Sequence, residues 1–359
     1  MAYTTIDDPT AFFQAKTYTG TGSSNAVTYG GNSDMQPDWL LFKNRQTSLN
    51  WMMWDSVRGI TKYFYSNLNE AEGTTSTVLT AIGSDGFTVG NNNNVNKANE
   101  NIGHWGWKAG TAFSNDASST SVGSIDSTGS VSTDSGFSII SYTGTGSDGT
   151  IAHGLGSVPQ VVLLKERNGT NNWLMYHHIL NTSLGDYSRF MTFNSNGAVA
   201  GANNVVFQNS AFTSSVFNVG TSAGSNGDGT PYIAYCFAEK QGYSKFGIYT
   251  GNGNADGPFI YTGFKPAFFL AKRSNAGEQW MVYDNKQLGF NESNNFLGHD
   301  TANGESTGAG STGAIDILSN GIKIRGTVNG TNNSGSTYIY MAFAEQPLVT
   351  STGVPATAR

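Results

Sequence analysis

The stretch Pro266-Ala-Phe-Phe-Leu-Ala-Lys272, followed by Trp280-Met-Val-Tyr-Asp284, decides the fold, because the chain repeats its spacing twice more. In the middle it reads Pro159-Gln-Val-Val-Leu-Leu-Lys165 and then Trp173-Leu-Met-Tyr-His177. Near the start it reads Pro37-Asp-Trp-Leu-Leu-Phe-Lys43 and then Trp51-Met-Met-Trp-Asp55. In each case the lysine follows the proline by six residues and the tryptophan follows the lysine by eight. The continuous apolar run before each lysine predicts a strand buried on both faces. Alternation along the next strand puts each tryptophan on the same face as the residue four later, with Trp54, Tyr176 and Tyr283 on the other.

Working outward, each copy opens on a strand ending in a glycine turn: Tyr18-Thr-Gly-Thr-Gly22, Tyr142-Thr-Gly-Thr-Gly146 and Tyr249-Thr-Gly-Asn-Gly253. A later strand alternates apolar and polar residues at Gly86–Gly90, Val216–Gly220 and Gly321–Arg325. Each copy closes on an aromatic strand, near-identical at Tyr232–Glu239 and Tyr338–Glu345 and divergent at Asn101–Trp107. No segment keeps a 3.6-residue period over twelve residues. The expectation is an all-β protein of three tandem β-sandwich, jelly-roll-like repeats with negligible helix. Their bounds are 18–109, 137–241 and 242–346. Residues 1–17 are expected to form an N-terminal attachment segment and 347–359 an extended C-terminal tail. The Ser/Thr/Gly-rich stretch 110–136 reads as a linker or a long extended excursion. Only eight residues join copies two and three, so these should pack as a unit.

Composition agrees. Charged residues are only 12% of the 359, aromatics also reach 12%, and glycines number 46, the profile of a turn-rich β-protein. A net charge of −6 argues against nucleic acid, whose phosphates need clustered Lys and Arg. No apolar run approaches the length of a membrane helix. The opening residues lack a basic region and an apolar core, so no secretory leader is expected. Cys236 is the one cysteine, which excludes an intrachain disulfide.

The openers, the runs Tyr243–Gly253 and Asp256–Pro266, Ile6–Pro9, Asp34–Asp38, Lys43–Arg45, His153–Gly156 and Tyr232–Glu239 carry a family resemblance. The chain resembles repeat-containing structural proteins encoded by marine bacteriophages, chiefly those of cyanobacteria and other ocean bacteria. That resemblance spans almost the whole chain. It implies a virion component of the tail-fibre or appendage type, made in the host cytoplasm and released by lysis. It offers no catalytic residues to carry over.

Chemical motifs are few. Gly144-Thr-Gly-Ser-Asp-Gly149 matches GxGxxG, but a strand rather than a helix should follow, so it reads as a turn. Gly220-Thr-Ser-Ala-Gly224 matches GxSxG without the helix that a nucleophile elbow requires. The five histidines lack metal-ligand spacing, so no metal or cofactor is expected. Asp55, His177 and Asp284 share one repeat position yet differ in chemistry, unlike an active site. Trp51, Trp173 and Trp280 with Asp55, His177 and Asp284 are candidate sugar contacts, weighed against the simpler reading that the tryptophans fill each core. The expected function is non-enzymatic host-surface adhesion. Its partners would be other virion proteins and a host glycan or outer-membrane receptor. The chain is expected to form a homo-oligomer, a trimer being one form, unless its three repeats make a pseudo-trimer. The alternatives are a capsid decoration protein, or a tailspike-type glycan hydrolase using two carboxylates such as Glu239 and Glu345.

Overall fold

A computed structural model describes residues 3–182, 185–287, 291, 295–307 and 313–355. Residues 1–2 of the expected attachment segment and 356–359 of the expected tail lie outside the described residues. The fold is nearly all β. Among the described residues the helices are single turns of three to five residues.

Three large antiparallel sheets share one strand order at their centres. In each, an opening strand pairs with the closing strand, which pairs with the lysine strand, which pairs with the tryptophan strand. In the first unit these are Phe13–Thr19, Asn101–Trp107, Trp39–Asn44 and Met52–Asp55. In the second they are Phe137–Thr143, Pro231–Phe237, Val161–Glu166 and Leu174–His177. In the third they are Ser244–Thr250, Thr337–Pro347, Phe264–Arg273 and Met281–Asp284.

A smaller sheet covers one face of each large one. It is built from Asn25–Thr28, Leu79–Gly83 and Gly86–Val89 in the first unit, Gly149–Ala152 and Val216–Val219 in the second, and Phe259–Tyr261, Ile315–Leu318 and Gly321–Ile324 in the third. Between the layers lie three separate cores. Leu40, Phe42, Met52 and Trp54 meet Val27, Phe87 and Val89 in the first. Tyr176 and Phe217 belong to the second, Tyr283 and Ile322 to the third.

The opposite faces of all three large sheets pack on one another. Trp51, Met53 and Trp105, Trp173, Met175 and Tyr235, and Trp280, Val282 and Met341 share one buried cluster. The lysine strands have apolar residues on both faces because both are covered, which is why they read as continuous runs.

Three sequence expectations fail. The stretch 110–136 is not a linker: Thr111–Asn115 and Ser127–Ser132 are strands that extend the second large sheet beside its opening strand. Apart from Phe113 and Val131, which pack against the second core, these strands hold only Ser, Thr, Gly, Ala and Asn, and composition alone does not separate such edge strands from a tether. Nor is 1–17 a separate attachment segment. Phe13–Thr19 is the opening strand, and Ile6 and Phe13 are buried in the central cluster. The closing strand runs on to Pro347, and the tail then turns back, with Val349 bridging Pro355 and Ser351 bonded to Asp7.

An unforeseen residue locks each glycine turn. Asn96, Asn226 and Asn332 are fully buried, each six residues before Ile102, Tyr232 or Tyr338 of a closing strand. Asn226 donates its amide to Gly220 O and Ser147 O and accepts from Thr145 N–H at 2.9 Å. Asn96 and Asn332 make the corresponding bonds to Gly90 and Ser23 and to Gly326 and Asn254. The turn lies so close that a Cβ on Gly144 would sit 2.3 Å from Gly227 O. Asn226→Ala should cost about 2–3 kcal/mol in urea unfolding, because two carbonyls and an amide lose their buried partner.

Candidate functional site

The six residues proposed from the sequence as sugar contacts are all buried. Trp51, Asp55, Trp173 and His177 have no exposed surface, and Trp280 and Asp284 have 1%. A sugar platform needs an open ring face, which these rings lack, and they fill the cluster shared by the three large sheets rather than the separate core of each unit. Their polar atoms do something composition could not show. Trp51 Nε1–H donates to Gly298 O of the third unit at 3.1 Å, and Trp173 Nε1–H to Tyr65 O of the first at 3.4 Å. Trp280 Nε1–H donates to Ser195 O of the second unit at 3.0 Å, closing a ring.

The residues four positions on link the units in the reverse direction. Asp55 accepts from Tyr235 Oη of the second unit at 2.6 Å and from Arg58. His177 Nε2 bonds Tyr340 O of the third at 3.3 Å. Asp284 accepts from Arg45 of the first at 2.6 Å. The backbone repeats the ring: Glu72 N–H bonds Arg167 O, Val199 N–H bonds Ser274 O, and Glu305 N–H bonds Arg45 O. Arg167 and Arg45 also form ion pairs with Glu72 and Glu305, whereas the middle junction has Val199 and Ser274 in their place.

The repeated lysines belong to this frame. Lys43, Lys165 and Lys272 are fully buried, and desolvation lowers each to about 8. Lys43 reaches Ala302 O of the third unit, and Lys272 reaches Asn196 O of the second. Lys165 lies over the Phe64 ring of the first at 5.8 Å. At the centre, Ser66 Oγ lies 2.9 Å from His299 Nε2, whose other nitrogen faces Phe193 O. The titratable groups repeated in the sequence thus hold one unit to another.

The motif matches dissolve in the same way. Gly144–Gly149 is a turn into the strand Gly149–Ala152. Ser222 of the GxSxG match caps a single helical turn, Ala223–Asn226, by accepting from Gly224 N–H. That turn was not foreseen. Among the described residues, no three His, Cys, Asp or Glu side chains group as a metal site. Glu239 and Glu345 are salt-bridged to Lys245 and Lys265 and line different clefts.

What remains outside is a surface of the third unit. Phe259 and Tyr261 stand two apart on an edge strand of its small sheet, 46% and 52% exposed, while Ile260 between them points inward. The equivalent positions hold Ala26 and Thr28 in the first unit and Thr150 and Ala152 in the second, judged by pairing with Phe87, Phe217 and Ile322. Phe259 lies against Gly321, where a Cβ would come within 3.0 Å of its ring. Beside it, Lys323 pairs with Asp256 at 2.6 Å, and that hydrogen bond holds the exposed Asp256 carboxyl below its usual range. Tyr261 also borders a cleft of about 330 Å³ lined by Tyr3, Glu239, Gln241 and Lys245. Sequence reasoning missed this pair because Tyr and Phe also fill the cores. The available signal was the departure from the other two copies.

Residues 8–347 match the family described as a domain of unknown function, DUF7483, and the chain belongs to that family. No curated protein matches the chain.

Two predictions concern the frame. Asp284→Ala leaves Arg45 buried with Glu305 as its remaining carboxylate partner, and denaturant unfolding should show a loss of about 3–5 kcal/mol. Burial holds His104, His177 and His299 down to about 3 and His153 to about 4. Unfolding returns them to about 6.5, so below that pH the unfolded chain binds more protons and stability falls. Between pH 6.5 and 5 the urea midpoint should drop with acidification, proton uptake on unfolding approaching one per buried histidine. A flat midpoint across that window contradicts the burial of these rings.

Proposed function

We propose that the chain is a non-enzymatic structural protein of a bacteriophage particle, a tail-fibre or receptor-binding appendage that adheres to the host surface. The observation that carries this reading is the Phe259–Tyr261 pair. Two exposed rings stand on a rigid strand beside a polar cleft, at positions where the other units carry small or polar residues. An open aromatic face suits the apolar face of a pyranose. The adjoining carboxylate, amide and ammonium groups suit its hydroxyls. Host-surface glycan is therefore the proposed partner.

The interior supports the same reading from the other side. The recurrent Asp, His, Lys and Trp side chains bond across unit junctions, which makes a stiff support and places their polar atoms away from solvent. Adhesion through several copies on one particle would add avidity to a modest single-site affinity.

The test is binding of the purified protein to host cells and to their extracted surface polysaccharide. The double variant F259A/Y261A should lose on the order of tenfold or more in binding, taking ~1–3 kcal/mol per stacked ring as a guide. Its thermal midpoint should stay close to that of the parent, because both rings are half exposed. Unchanged binding removes this surface from the proposal. Location of the chain on the capsid lattice, by electron microscopy of intact particles, would replace adhesion with shell decoration.

A further inference from the structure

The three opening strands lie at equivalent places in their sheets, yet their outer edges are treated in three different ways. In the second unit the edge is covered. Ser127–Ser132 pairs antiparallel with Phe137–Thr143, setting Ser130 opposite Ile139 and Thr128 opposite Ser141. In the third unit the edge is capped at the start of the strand. Ser244 N–H bonds Lys240 O, Phe246 N–H bonds the Glu239 carboxylate, and Phe246 O accepts from His178. In the first unit, among the described residues, the edge is open. The strand Phe13–Thr19 pairs on one side only, with Asn101–Trp107.

The register shows which groups face outward. Phe12 O and Gly20 N–H bond the closing-strand side, so in an antiparallel ladder Gln14, Lys16 and Tyr18 face it as well. The N–H and C=O groups of Ala15 and Thr17 therefore point away from the sheet. Their counterparts in the second unit, Ile139 and Ser141, are the ones satisfied by the added strand. Two clefts run end to end along this edge, of about 300 and 680 Å³, the first lined by Phe13–Lys16 and the second by Thr17. Lys286 of the third unit borders both. Open edges are usually blunted or covered, because unpaired backbone groups invite a further strand.

We propose that the free edge of Phe13–Thr19 is a strand-addition site. Its occupant is an extended Ser/Thr/Gly-rich segment of another protein chain, which docks antiparallel and extends the first large sheet. The second unit supplies the chemistry of that occupant. Its covering strand reads Ser127-Thr-Gly-Ser-Val-Ser132, and a Cβ on Gly129 would fall 1.9 Å from Ile139 O. Main-chain hydrogen bonds supply the affinity in such docking, and small side chains allow the close approach. That the other chain is a particle protein rests on the virion reading above. The strand-accepting edge does not depend on it.

The test joins a copy of residues 125–134 to the N-terminus of the full chain through a flexible Gly/Ser linker. Such a tether supplies an effective concentration on the order of millimolar. Hydrogen exchange at the Ala15 and Thr17 amides should slow by about tenfold or more relative to the unfused chain. Ala15→Pro removes an outward N–H without touching the ladder to the closing strand, as proline allows at an edge. In the fusion it should return Thr17 to rapid exchange. Unslowed exchange of Ala15 and Thr17 in the fusion without that substitution overturns the proposal. Because neither host nor particle enters this assay, its outcome is separate from that of the adhesion test.

Discussion

The arrangement depends on the contact of three sheet faces that no unit can cover alone. Each large sheet has a small sheet on one side and, on the other, a tryptophan, a lysine and several large apolar groups. Exposed singly, those faces would leave Trp51, Trp173 and Trp280 in water with Lys43, Lys165 and Lys272 beside them. Packed together, they bury the rings and direct each indole N–H to a carbonyl of a neighbouring unit. The indoles point round the ring one way and Asp55, His177 and Asp284 the other, so each junction is tied from both sides. The apolar contact supplies most of the stabilisation, and the polar bonds select a geometry that gives these three indoles partners, whereas the buried indole nitrogens of Trp39, Trp105 and Trp107 have none.

That dependence explains how much of the fold was legible in the sequence. The six- and eight-residue spacings locate the lysine and tryptophan strands, and alternation assigns Trp54, Tyr176 and Tyr283 to the face opposite the tryptophans. Both readings match the cores. Periodicity reports that a face is buried; it does not report against what. The same tryptophan pattern suits a core within one sandwich or a junction among three, and only the spatial closure decides. The stretch 110–136 failed for a related reason. Its Ser, Thr and Gly residues are what a tether uses, and also what an edge strand needs where backbones approach closely. Asn96, Asn226 and Asn332 were readable from their constant distance to the closing strands, but abundant asparagine elsewhere hid them.

The candidate site was less legible than the fold, because its information lies in departures from equivalence. Positions that agree among the units are occupied with holding the units together. Some positions that disagree keep that duty, as Asp55, His177 and Asp284 do, and others are released from it. Phe259 and Tyr261 replace small or polar residues on the outer face of one small sheet. Ser66, Phe193 and His299 occupy corresponding places after the tryptophan strands and fill the centre with three different side chains. Val199 and Ser274 replace an ion pair at one junction out of three.

The opening-strand edges show the same principle in the backbone, where side-chain identity matters least. An antiparallel sheet must end somewhere, and its last strand always leaves half of its amides and carbonyls without a ladder partner. The second unit meets that demand with a strand of its own, and the third with a carboxylate, a histidine and a local turn. The first solution occupies the groups that a foreign strand would need, and the second occupies those of Ser244 and Phe246 at the start of the strand. Had all three edges been left bare, edge pairing between copies of the chain would be an aggregation hazard at three places. The edge of Phe13–Thr19 differs in its setting, since the clefts beside it are also lined by Lys286 of the third unit, so a strand docking there would meet two units at once.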